Sequence, residues 1–187
     1  MRNPILLTVC LMIGVAAGRA AENGAPPPAD KPPPPAKPLP VSLPVLIEAA
    51  QAALATCRES GWPVGLTIVD VDLSVRLSMR DAGAGAASIE VSHRKAYTAA
   101  KTGMTSEEYA KTLTEADLIY PSAQPGSTRR GEPSVRNADP MLLPRAGGLP
   151  IIVDGQMVGA MGVSGRPAGG DVDCVKAGLA KIAAAKK

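Results

Sequence analysis

The single histidine of this chain, His93, is the residue best suited by its chemistry to bind a metal. It lies in a segment with helical spacing, where it shares a face with Ile89, Ala96 and Ala100. A neutral imidazole beside small alanine side chains could coordinate a metal held in a flat macrocycle, because such a ligand needs that clearance. A packed or surface histidine is the alternative. With one histidine and no Cys/His cluster in the sequence, a multi-histidine site and a zinc site are excluded.

Other side chains could help to hold a ligand. Lys95 could pair with a propionate or another ligand carboxylate, or it could tie its helix to a carboxylate such as Asp70. Four arginines could make bidentate contacts to propionates, or they could form a solvated loop surface: Arg129, Arg130, Arg136 and Arg145. Weaker candidates for contact with the metal are Thr98, Met79 and Met104.

Glycines are concentrated in the segment Gly147–Gly165, GGLPIIVDGQMVGAMGVSG. Glycine weakens a strand unless something approaches its backbone closely. This segment could form the rim of a ligand site, or its glycines could allow close packing against a helix or a second subunit. A nucleotide loop is not indicated, because no GxxxxGK[ST] motif occurs. The candidate rim residues are Gly147, Gly148, Gly162, Ser164 and Gly165.

Catalytic motifs are poorly represented. Ser164 lies in GVSGR, which lacks the GxSxG spacing of a nucleophile elbow. An acid/base pair cannot be assigned from the sequence among the four candidate carboxylates Asp70, Asp154, Asp171 and Asp173. The sequence therefore predicts no catalytic residue, and it leaves open whether the protein is an enzyme.

The elements that must position these residues follow from periodicity and turn signals. Asp154-Gly155 between two apolar runs predicts a hairpin. Thr105 with Glu108 forms a capping box and predicts a helix to about Asp117, followed by a long loop, 118–146. The order α-β-β-α-α-β-β-α predicts an α+β fold, an α/β sandwich in which helices flank an antiparallel sheet of about four to five strands. The other predicted elements are a helix from Ser42 to Gly61, strands Val64–Val71 and Ser74–Arg80, a helix Ser88–Thr102 capped by Ser88, and a final helix from Asp171.

The N-terminal forty residues are not expected to belong to the domain. Residues 1–20 have a basic start, an apolar run and a small-x-small end, which predicts a cleaved secretory signal peptide and a periplasmic or secreted protein without a stable membrane span. In residues 21–40, nine of twenty residues are proline, typical of a disordered extended linker. The remaining residues, 41–187, form one domain.

Charge and cysteines limit the partners. Removing Arg2 and Arg19 leaves 18 basic against 17 acidic residues, a net charge of about +1 that does not suggest nucleic acid. The two cysteines outside the signal peptide, Cys57 and Cys174, fall on the first and last predicted helices. They could form a disulfide or remain two buried thiols.

Four blocks of the sequence resemble the GlcG/HbpS-like family, which is related to the C-terminal domain of PduO-type cobalamin adenosyltransferases. They are LTIVDVDLSVRLSMRDAG, ASIEVSHRKAYTAAKTGMT, GGLPIIVDGQMVGAMGVSG and DVDCVKAGLA, and the similarity spans about Leu43 to Ala180. The resemblance implies an antiparallel α/β domain that forms homo-oligomers. It also implies non-covalent haem binding, since several relatives bind haem and some exported ones are associated with haem or redox sensing.

The expected function is therefore that of an exported haem-binding protein that sequesters, transports or senses haem, with His93 as axial ligand and a sensor or transport protein as a further partner. One alternative is an accessory subunit or enzyme that acts on a small organic metabolite or a corrinoid. Another is an interaction module without a ligand. The 118–146 loop departs from the shorter relatives in its length.

Overall fold

The computed structural model describes residues 40–119, 133–167 and 169–185. They belong to the second of two compact units, Lys37–Lys187. The predicted signal peptide and linker up to residue 39 lie outside the described residues, as do Tyr120, Arg129 and Arg130. None of the described helices is long and apolar enough to cross a membrane.

Helices and strands of the described residues follow the predicted order, with two short additions. The additions are a 3-10 turn at Glu115–Asp117 and a pair of two-residue strands, β3 and β4. The helices are α1 Leu43–Glu59, α2 Ser88–Thr102, α3 Ser106–Lys111 and α4 Asp171–Ala184. The strands are β1 Gly65–Asp70, β2 Val75–Arg80, β3 Leu118–Ile119, β4 Ser134–Val135, β5 Gly148–Val153 and β6 Gln156–Ser164.

The main sheet has the strand order β2-β1-β6-β5, and each neighbouring pair is antiparallel. The predicted α+β class and the antiparallel sheet are confirmed, with four strands in the sheet. The glycine-rich hairpin supplies β5 and β6, and β6 pairs with β1 at the centre of the sheet. At its turn, Asp154 and Gly155 have φ of 50° and 75°, the positive values that the Asp-Gly pair predicted.

Side chains alternate between the two faces of the sheet, and different helices cover each face. Leu66 and Ile68 of β1 point into an apolar cluster built with α1 and α4. Thr67 and Val69 point to the other face, where they meet α2. The domain is therefore a sandwich with α1 and α4 in one outer layer and α2 in the other.

Cys57 of α1 and Cys174 of α4 form a disulfide, with their Cα atoms 5.5 Å apart. The sequence left pairing and free thiols open, and the structure has the pair. Both cysteines are fully buried within the apolar cluster. The bond closes a separation of 117 residues between the two helices that share this layer.

Two predicted helix ends were wrong. The capping box of Thr105 and Glu108 is present, but α3 ends at Lys111 instead of near Asp117. Thr114 starts a new turn because its backbone N–H and hydroxyl both donate to the Asp117 carboxylate, which competes with helix continuation. Ser88 is the first residue of α2 and not its cap, a position that Ala87 takes without a side-chain hydrogen bond.

Candidate functional site

The glycines of the hairpin allow α2 to lie directly on the sheet. Gly148 of β5 pairs with Gly162 of β6. A Cβ atom on Gly148 would stand 2.1 Å from the Lys95 carbonyl oxygen, and one on Gly162 would stand 2.1 Å from the Ser92 carbonyl oxygen. Both distances are far below van der Waals contact, so the backbone that approaches these two glycines is that of α2.

The other candidate rim residues are also surrounded by this chain. A Cβ on Gly147 would stand 2.8 Å from the Val163 carbonyl oxygen, and one on Gly165 would stand 2.8 Å from the Pro63 carbonyl oxygen. Ser164 is half-buried and lies opposite Gly65 in the β1–β6 ladder. A binding role for these residues stays a prediction, while their packing role follows from the geometry.

Lys95 forms a buried ion pair that joins α2 to the start of α4. Its Nζ lies 2.7 Å from Asp171 Oδ2 and donates a 3.0 Å hydrogen bond to the Val163 carbonyl oxygen. Asp171 Oδ1 accepts a hydrogen bond from the Arg166 backbone N–H. The partner suggested by the sequence, Asp70, instead accepts backbone N–H groups in its own turn. The Lys95 ammonium thus already has a carboxylate partner within the chain.

A segment that we call the strap, residues 133–143, crosses the outer side of α2 and is fastened to it. Arg94 Nη2 donates to the carbonyl oxygens of Pro140 at 3.1 Å and Leu142 at 3.3 Å. Thr98 Oγ1 donates to the Arg94 carbonyl oxygen and accepts from the Leu143 N–H, both at 2.8 Å. Thr98 therefore positions the strap through hydrogen bonds that occupy its hydroxyl.

A charged cluster fastens the middle of the strap. The Tyr97 hydroxyl and the Lys101 ammonium both donate to the Asp139 carboxylate, at 2.5 Å each. These two hydrogen bonds lower the pKa of Asp139 from 3.8 to about 2, with the Lys101 hydrogen bond as the larger cause. The same contact raises the pKa of Lys101. The strap is thus held to α2 by an ionised carboxylate at neutral pH.

His93 lies beside this cluster. Its ring contacts the Tyr97 ring edge-on, with centroids 6.4 Å apart and an interplanar angle of 84°. Its Nε2 is buried and has no hydrogen-bond partner in the structure. Burial lowers the pKa of His93, which favours the neutral imidazole.

The predicted alanine-lined clearance beside His93 was wrong. Ala96 and Ala100 are buried against Val69 and Ala160 of the sheet. Small side chains are needed there because the glycines bring α2 so close to the strands. The imidazole instead packs against Tyr97, whose hydroxyl binds Asp139 of the strap.

Comparison with known proteins places this arrangement in a family. A sequence model described as "Haem degrading protein HbpS-like" matches residues 42–180. The chain belongs to the HbpS-like family. This confirms the resemblance found in the sequence.

The relatives of this HbpS-like chain include both named and uncharacterised proteins. It is 31% identical over 125 residues to an uncharacterised 15.0 kDa protein from the dhaT-dhaS intergenic region of Citrobacter freundii, covering 67% of this chain and 80% of the relative. A double mutant of HbpS from Streptomyces reticuli is 28% identical with a TM-score of 0.62, covering 84% of this chain and 97% of that one. A PduOC complex with heme is 22% identical with a TM-score of 0.61, covering 75% and 94%, a likeness of fold alone.

The donor atoms of the HbpS-like domain fit a haem iron with one imidazole ligand. An unpartnered Nε2 on a neutral ring is the form of histidine that coordinates a metal. Among the described residues no three His, Cys, Asp or Glu side chains form a cluster that could hold a bare metal ion.

The predicted site residues do not all lie together. His93, Lys95 and Thr98 share α2, but they contact Tyr97, the start of α4 and Leu143 of the strap respectively. Arg136 is exposed, and its Nε donates to the Ala116 carbonyl oxygen. Sequence reasoning missed Arg94, Tyr97 and Asp139 as neighbours of the site. The spacing of Tyr97 four residues after His93 was the available signal.

Proposed function

We propose that this protein is an exported haem-binding protein that sequesters, transports or senses haem, with His93 as the axial ligand. The observation that carries the proposal is the buried, unpartnered Nε2 of a histidine whose pKa is lowered by burial. Leaving a buried polar atom without a partner costs free energy, about 1–3 kcal/mol, unless a ligand supplies the missing contact. The family description and the haem complex of a relative with the same fold support this choice of ligand.

To a bound haem, this chain would contribute one iron ligand atom, a fixed orientation of that ligand and protection of the iron from water. Tyr97 packs edge-on against the imidazole and limits its rotation, while Asp139 holds Tyr97 in place. Bound haem would supply the iron chemistry, and the protein would set access to it. The chain's fixed part in this function is therefore α2 with its strap.

The disulfide supports the export part of the proposal. Disulfides persist in oxidising compartments and are rare in the cytosol. The Cys57–Cys174 bond thus agrees with the signal peptide predicted for residues 1–20. Detecting the mature chain in the periplasmic or culture fraction, with Ala21 as its first residue, tests export directly.

A hemin titration of residues 21–187 tests the ligand. We expect a saturable shift of the Soret band, and a different band position with lower affinity in His93→Ala. Because the chain has one histidine, this substitution removes every imidazole, and added free imidazole should restore the spectrum. Met104→Leu removes an alternative iron ligand and serves as the control. Identical spectra and affinities for wild type and His93→Ala would refute the axial role.

The same titration tests the state of the imidazole. Burial lowers the pKa of His93, so the loss of hemin binding on acidification should come at a lower pH than the titration of an ordinary histidine. A second measurement follows the Soret band of the haem-bound protein after a reductant and oxygen are added. A stable band indicates a carrier or sensor of haem. A steady loss of the band indicates the haem degradation that the family description names.

A further inference from the structure

Arg94 and Lys95 are neighbours on α2, both are buried, and only one of them has a carboxylate partner. Lys95 is 2% exposed and pairs with Asp171. Arg94 is 9% exposed, yet none of the four ion pairs between described residues includes it. Burying a cation without a counter-charge is costly in free energy. A bound anion would remove that cost for Arg94.

The contacts of Arg94 leave part of its guanidinium unused. Its side-chain hydrogen bonds to the described residues all run through Nη2, to the carbonyl oxygens of Pro133, Pro140 and Leu142 at 3.1–3.4 Å. Its Nε is buried and has no acceptor. Its Nη1 donates to none of the described residues. Carbonyl dipoles offset some of the cost of burial, but they do not neutralise the charge.

Arg94 lies close to the proposed iron ligand. It follows His93 in sequence, and both residues are linked to the strap, Arg94 directly and His93 through Tyr97. Arg94 contacts Pro140, while His93 packs on Tyr97, which binds Asp139. A ligand held by His93 would therefore bind next to the helix position that carries the unused guanidinium N–H group.

We propose that Arg94 binds a propionate carboxylate of the haem whose iron His93 holds, an inference that rests on the proposed function. Guanidinium is the cation best shaped for a carboxylate, since it offers parallel N–H groups on a planar frame. The propionate would supply the counter-charge that the described residues do not. This assignment replaces Arg136 of the strap, which is exposed and bonded to Ala116.

Comparing hemin with hemin dimethyl ester tests the assignment, because the ester keeps the iron and the ring but lacks the negative charges. Wild type should bind hemin about tenfold or more tighter than the ester, the range of a hydrogen bond to a charged group. In Arg94→Gln this ratio should fall close to one, and in Arg94→Lys it should be intermediate. Arg136→Lys, which changes an exposed arginine of the strap, should keep the wild-type ratio. The ratio is insensitive to the fraction of each variant that is folded.

Metal-free protoporphyrin IX and its dimethyl ester give a readout that does not involve His93. Fluorescence titration should show the same loss of discrimination in Arg94→Gln and no change in His93→Ala. A wild-type ratio retained in Arg94→Gln would overturn the role of Arg94 while leaving His93 as ligand. An equal loss of affinity for the free acid and the ester would also overturn the role of Arg94 in binding a propionate. It would mean that Arg94 serves to hold the strap on α2. No hemin binding by wild type would overturn both proposals.

Discussion

The two faces of the sheet are covered by different kinds of side chain. The face covered by α1 and α4 packs a cluster of seventeen buried apolar residues, closed by the disulfide. The face covered by α2 has an apolar cluster of five small or medium residues. Buried polar contacts accompany this smaller cluster, and they include the Thr67–Ser92 hydroxyl pair and the Lys95–Asp171 ion pair. The first face resembles an ordinary hydrophobic core, and the second is a surface that fixes the position of α2.

The difference shows how stability and positioning are divided. Apolar burial is non-directional, so the α1/α4 face stabilises the fold without fixing fine geometry. Hydrogen bonds and close backbone contacts are directional, so the α2 face sets the position of the helix that carries His93. Changes on the first face should therefore lower stability and spare ligand binding, and changes on the second should affect both.

Removing the disulfide is the largest test of this division. A cross-link over 117 residues stabilises by restricting the unfolded chain, by about 4–5 kcal/mol for a loop of this size. Cys57→Ala/Cys174→Ala should lose about that much in urea unfolding, while the folded fraction keeps the hemin affinity of wild type. Reduction of wild type is the matched measurement. A large fall in hemin affinity of the folded double variant would contradict the division.

Breaking the buried ion pair comes next. Lys95→Met leaves the Asp171 carboxylate buried without its cation, and breaking such pairs costs about 3–5 kcal/mol. Because Lys95 lies on α2, we expect a lower hemin affinity as well. Lys95→Met/Asp171→Asn should recover part of the stability, since no unpaired charge remains. Additive losses in the double variant would show that the two residues do not act as a pair.

Gly162→Ala tests the close packing of α2 on the sheet. The new Cβ would stand 2.1 Å from the Ser92 carbonyl oxygen, so the helix must shift away from the strand. Overpacking of this kind costs about 1–3 kcal/mol. Gly85→Ala is the control, because its Cβ would meet nothing within 4 Å. Circular dichroism melts and hemin titrations should separate the two variants, with an effect on affinity confined to Gly162→Ala.

The sequence predicted the first face better than the second. Apolar periodicity located α1, α4 and the hairpin, because alternation and turn residues are local signals. The Asp154-Gly155 turn and the order of the main elements followed from them. The contacts that define the α2 face join distant residues, such as Lys95 with Asp171 and Arg94 with the strap. Nothing in local spacing selects Asp171 over Asp70, and glycine content alone cannot tell a helix from a ligand.

Asp139→Asn is the smallest and most specific test, since it loosens the strap without touching the sheet. The folded-state pKa of Asp139 is about 2, below its ordinary value of 3.8, so its stabilising contribution is present above pH 3.8 and is lost as the pH falls toward 2. Lys101 has a raised pKa, so its contribution is present below pH 10.5 and is lost at higher pH. The stability difference between wild type and Asp139→Asn should therefore stay constant between about pH 4 and 10, and it should vanish in acid.

Exposed ion pairs contribute little to global unfolding, so the informative measurement for Asp139→Asn is hydrogen exchange in residues 133–143. Exchange should accelerate there in Asp139→Asn and remain unchanged in α1 and α4. Equal acceleration on both faces would mean that the two layers unfold together, and the division of labour between them would fail.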